Sequence, residues 1–131
     1  MLVKKNYILK DVIVDGIKMA QYCLKIKFGY HKIWGKDTGR NNAGNNKGTL
    51  LGIYPKITFT FRKLNDEDIG LLLSLFNKAE NKVTFYHPDL KKELQDMSFY
   101  SNDQEFDQDY IGTVKGYSSA IISNRKREEY V

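Results

Sequence analysis

From Tyr22 to Phe28 the chain alternates, with Tyr22, Leu24, Ile26 and Phe28 on one face and Cys23, Lys25 and Lys27 on the other. A period of two over seven residues predicts a strand with one buried side. Ile57, Phe59 and Phe61 alternate with Lys56, Thr58, Thr60 and Arg62 in the same way. Ile8 to Val14 is rich in β-branched and apolar residues, and the Asp15-Gly16 pair after it favours a tight turn, so residues 7 to 22 predict a hairpin. Further strands are expected over 82–86, 97–100 and 110–123.

One segment has helical spacing instead. In "LNDEDIGLLLSLFNKAEN" Asn65 is placed to cap, and Asp66, Glu67 and Asp68 set negative charge at the positive end of the helix dipole. Leu64 can staple onto Ile69, while Ile69, Leu72, Leu73 and Phe76 form an apolar stripe and Lys78 falls near the last turn. Pro88 and Asp89 mark a turn after the next strand. Strands do not alternate with helices, which disfavours a parallel α/β sheet. The expectation is a single domain over residues 1–131, mainly β with one packed α-helix, as an antiparallel β-sandwich or barrel.

Between the two alternating segments lies "GKDTGRNNAGNNKGT", residues 35–49, with four glycines and four asparagines. Gly39 and Gly44 match the start of a phosphate-binding loop, but Asn45 and Asn46 stand where lysine and a hydroxyl residue are required. A strand also follows where a helix N-terminus should supply amide donors. The better readings are a flexible polar loop or a hairpin arm that becomes ordered between subunits. In the second case Lys36, Arg40, Asn41, Asn42, Asn45, Asn46 and Lys47 would contact an acidic neighbour, whose candidate residues are Asp103, Glu105, Asp107 and Asp109.

Charge sharpens that reading. The net charge of +5 divides into 13 lysines and arginines against three aspartates in residues 1–63, and eight against 13 acidic residues in 64–131. A basic half and an acidic half suit a subunit that meets its own neighbour in a ring, or a nucleic-acid binder with an acidic back. No apolar run approaches the roughly 20 residues that span a bilayer, and the lysine-rich start does not resemble a secretion signal. No membrane association is expected. One cysteine, Cys23, allows no internal disulfide and suits synthesis in a reducing cytoplasm.

No catalytic constellation stands out, so no enzyme, no metal and no cofactor is expected. His31 and His87 are 56 residues apart, and neither has another His or Cys at ligand spacing. "DQEFDQD" lacks the glycine and final glutamate of a calcium loop and reads as a solvated acidic loop or an interface. Tyr30, His31, Lys32 and Trp34, beside Lys25 and Lys27, could stack bases and hold phosphates, which makes a single-stranded nucleic-acid-binding barrel the alternative.

The stretch "YPKITFTFRKLNDEDIGLLLSLFNKAENKVTFYHPDLKKELQDMSFY", residues 54–100, resembles small structural proteins from the virions of bacteriophages and prophages of Gram-positive bacteria. The shared pattern is an alternating strand, an acidic-capped helix, a strand with a Tyr-x-Asp/Pro turn and an aromatic "FY" strand, with a Gly/Asn-rich loop in front. It is also similar to the tail-tube family, which includes tubes, tail completion proteins and baseplate hub proteins. That resemblance implies two packed sheets, one flanking helix and a long loop or hairpin joining subunits into a ring. It further implies a virion location, partners among the other virion proteins, and nucleic acid only as passing cargo.

Overall fold

The computed structural model describes residues 11–35, 49–87, 89–101, 104–108 and 114–130. Its elements are β1 (Ile13–Val14), β2 (Ile17–Lys18), β3 (Cys23–Gly35), β4 (Thr49–Phe61), α1 (Asp66–Phe76), β5 (Asn81–His87), β6 (Lys92–Ser101), β7 (Glu105–Gln108) and β8 (Val114–Ser123). Short 3-10 turns span Met19–Gln21 and Arg127–Tyr130. All pairings are antiparallel, in the order β2-β1-β5-β6-β8-β4-β3, with β7 added to β8. The fold is mainly β, one sheet curled into a half-barrel and packed with one helix. No helix among the described residues is long and apolar enough to cross a membrane.

The expected turn is present: Asp15 and Gly16 both have positive φ, at 50° and 84°, as a two-residue hairpin turn requires. The Asp15 carboxylate accepts from Lys82 N and from Asn81 Nδ2, each at 2.8 Å, and the same Asn81 amide donates to Leu75 O. One aspartate thereby ties the β1–β2 turn to the start of β5 and the end of the helix. The rest of the hairpin expected over residues 7 to 22 begins outside the described residues.

The core face carries Ile57, Phe59 and Phe61 from β4, Val83 and Phe85 from β5, Phe99 from β6 and Tyr117 and Ile121 from β8, all buried. Onto it α1 lays Ile69, Leu72, Leu75 and Phe76. Leu75 is buried and Leu73 only half-buried, so Leu75 takes the place expected for Leu73 while Ile69, Leu72 and Phe76 stand as expected. Phe76 meets Phe59 at 5.8 Å and Phe61 at 6.2 Å between ring centres, and Phe61 stacks on Tyr117 at 4.7 Å. Aromatic pairs at these distances add to the area they bury.

Asn65 caps as expected, its side-chain oxygen accepting from Asp68 N at 2.9 Å. Leu64 and Ile69 are both buried in the core, as a staple requires. The helix ends at Phe76, so Lys78 lies beyond its last turn and pairs instead with Asp15 at 3.3 Å. Replacing Asn65 by Ala is expected to cost about 1 kcal/mol, because one first-turn amide loses its acceptor. Urea melts of the two proteins measure it; an unchanged midpoint would mean that water serves as well as the asparagine.

Candidate assembly interface

β3 and β4 form a hairpin of 13 residues in each strand, but β8 pairs with β4 only from Lys56 to Thr60. Beyond that point the two strands pair only with each other among the described residues, through Gly29–Gly35 and Thr49–Pro55. Seven residues at about 3.3 Å each carry this arm roughly 20 Å past the sheet. Pro55 stands where β4 leaves β8, and without an N–H it cannot donate to a ladder on either side.

The arm exposes what a core would bury. Trp34 and Leu51 are each 52% exposed, and Phe28, Tyr30, Ile33 and Leu50 are also classed as exposed. Neither strand contains an acidic residue, while Lys25, Lys27, Lys32 and Lys56 lie along them. A register shift opposite Ile33 and Trp34 leaves Leu51 unpaired. Its side chain occupies the place of a Cβ on Gly35, which would meet it at 3.2 Å.

The alternating segment 22–28 departs from expectation. Tyr22 is buried and Ile26 half-buried, but Leu24 is 74% exposed. A bulge between Cys23 and Lys25 accounts for this, since two residues of β3 there face one of β4 and Leu24 falls out of the alternation. Phe28 is exposed because the core ends at the root of the arm.

That root is fastened to the body by three side chains. Tyr30 Oη donates to Asp89 Oδ2 at 2.6 Å, and Arg127 Nε donates to the same oxygen. The guanidinium, then the phenol, holds the Asp89 carboxyl well below the usual carboxylate range. Burial and the neighbouring carboxylate push the Tyr30 hydroxyl up to about 12. Behind this tie lies a cleft of about 260 Å³ lined by Phe28, Tyr30, Pro55, Ile57, Phe85 and His87. Gly52 leaves room for the Tyr54 ring, which a Cβ there would meet at 2.8 Å, and the Lys126 side chain of the C-terminal segment lies at 3.2 Å from the same point.

His87 is buried at 3% exposure, with its ring 5.8 Å from Phe85 and 6.0 Å from Tyr30. Its Nδ1 accepts from Leu90 N at 3.3 Å, while the Asp89 carboxylate accepts from Tyr30 and Arg127. Burial lowers the imidazole pKa, with Asp89 opposing and Arg127 and Lys92 adding to the shift. The folded state therefore binds its proton later than the unfolded chain does. Stability from this group is expected to be complete above about pH 6.5, the ordinary histidine value, and to decline as pH falls through the lowered value. Urea melts between pH 7.5 and 5 test this, and His87→Gln should flatten that part of the profile; an equal slope in both proteins would refute it.

The alternative nucleic-acid surface is divided by the strand period. Tyr30, Lys32 and Trp34 alternate onto the core face of β3, whereas Lys25, Lys27 and His31 lie on its outer face. Lys32 therefore shares a face with the two rings, while Lys25 and Lys27 stand on the opposite one. Burial pushes the Cys23 thiol up to about 12, so it stays protonated and unreactive near neutrality. Among the described residues no group of three or more His, Cys, Asp and Glu stands close enough to hold a metal ion.

No family model and no curated protein matches the chain. Among solved structures it is similar to a chain described as "Virion of native gene transfer agent (GTA) particle", at 13% identity and a TM-score of 0.48. The match covers 91% of this chain and 95% of that one. Similarity at that level establishes neither kinship nor a shared role.

Of the residues expected at a subunit interface, Glu105 and Asp107 are exposed on β7. Lys36, Arg40, Asn41, Asn42, Asn45, Asn46, Lys47, Asp103 and Asp109 lie outside the described residues. The strand at β7 was hidden in the sequence by its acidity. The exposure of Trp34, Leu50 and Leu51 is hidden for a different reason: alternation signals a strand, and nothing local shows that β8 stops before they are reached.

Proposed function

We propose that this chain is a structural subunit of a bacteriophage virion, forming a ring or tube of the tail or neck by self-assembly and by contact with other virion proteins. One observation carries the reading. A hairpin leaves the sheet at Pro55 with Trp34, Leu50 and Leu51 exposed and no acidic residue in either strand. Two strands alone are marginal in water, so such an arm gains from a surface that covers it. The half of the chain from residue 64 onward has net charge −5 and offers a second copy a complementary surface. The pattern of residues 54–100, similar to small phage structural proteins, supplies the virion context.

An arm of one copy resting on a different surface of the next makes a heterologous contact, which generates rings or filaments and not closed dimers. Sedimentation velocity and negative-stain microscopy of the purified protein test the reading. Rings or tubes should form at low ionic strength and dissociate as salt rises. A chain that stays monomeric at high concentration and low salt, and that sibling virion proteins do not recruit, overturns it.

A further inference from the structure

At one level of the sheet four strands run side by side in the order β3, β4, β8, β7. Lys25 is opposite Thr60, Thr60 opposite Ser118, and Ser118 opposite Glu105. One row of residues thus crosses from edge to edge. Among the described residues no strand pairs with the outer edge of β3 or of β7. Three antiparallel steps separate these strands, so they run in opposite directions.

Their side chains follow matching patterns. Lys25 and Lys27 share the outer face of the sheet, with Ile26 between them on the core face. Glu105 and Asp107 lie on that same outer face, with Phe106 between them on the core face, where its ring meets Tyr117 at 6.1 Å. Both lysines, both carboxylates and Phe106 are exposed, and Ile26 is half-buried. None of the four charged groups has an ion-pair partner among the described residues.

We propose that the outer edge of β3 pairs antiparallel with the outer edge of β7 in a second copy, in the register that sets Lys27 against Glu105, Ile26 against Phe106 and Lys25 against Asp107. The proposal rests on the self-assembly reading and names its contact. Each rung keeps charge beside opposite charge on one face and apolar beside apolar on the other, the arrangement that stabilises cross-strand pairs. Pairing β3 with another β3 would set lysine against lysine, so the same charges select the unlike edge. The register is offset by two residues from the row that levels Lys25 with Glu105, and a closing sheet requires such a stagger.

Charge reversal tests this on the full chain. K25E/K27E and E105K/D107K each place like charges at both charged rungs and should each raise the concentration needed for assembly by at least about tenfold, since juxtaposed like charges cost several kcal/mol. The two variants mixed, and the quadruple variant alone, should recover assembly, because each restores unlike pairs. Circular dichroism melts confirm that every variant folds. Single-edge variants that assemble as the unaltered protein does, or a quadruple variant that stays dispersed, would overturn the edge pairing and leave the assembly reading standing. An unaltered protein that never assembles removes both.

Discussion

Phe76→Ala is expected to lower the stability of the chain by about 3–5 kcal/mol, the usual cost of emptying a buried phenylalanine site. The ring is 1% exposed and sits against Phe59 and Phe61 at the end of α1. Its neighbours belong to a strand held on both sides, β3 on one and β8 on the other, so little collapse is available to fill the space. The effect should exceed that of Asn65→Ala severalfold, because a cap affects one amide while the ring joins helix to sheet. Thermal and urea melts measure both. If Phe76→Ala proves the milder change, α1 does not cover the core as described.

The second large effect concerns assembly and should leave the fold alone. Trp34→Ser combined with Leu51→Ser removes two side chains that are each 52% exposed. Substitutions at such positions usually change stability by no more than about 0.5 kcal/mol. If the arm seats on a neighbour, the loss of an interfacial tryptophan alone costs about 2 kcal/mol or more, roughly 30-fold in affinity. Melting should be unaltered while the concentration required for rings or tubes rises by at least that factor. Assembly at the original concentration would show that the apolar face of the arm plays no part in it.

Both results bear on the virion reading from different sides. The first concerns the internal core of the half-barrel, where helix and sheet meet. The second concerns surface left over after that core is complete. In a self-assembling subunit the two are separable, since interface residues are exposed in the single chain and therefore contribute little to its stability. The edge pairing adds specificity, with the charge pattern choosing which edge meets which.

Local structure is legible along the chain. Period-two alternation placed β4, the Asp15-Gly16 pair placed its turn, and Asn65 with the acids after it placed the start of α1. These features are set by neighbours within a few residues, through backbone dihedrals and capping bonds. The division of charge between the two halves is legible there too. Which alternating residues are covered depends on how the strands assemble: Leu24 is lifted out by a bulge, and Trp34 and Leu51 lie beyond the last residue paired to β8. Likewise Lys25 and Glu105, 80 positions apart, share one row only because β4 and β8 lie between them. Burial and lateral order depend on strands brought together from distant parts of the chain, and no local pattern carries that information.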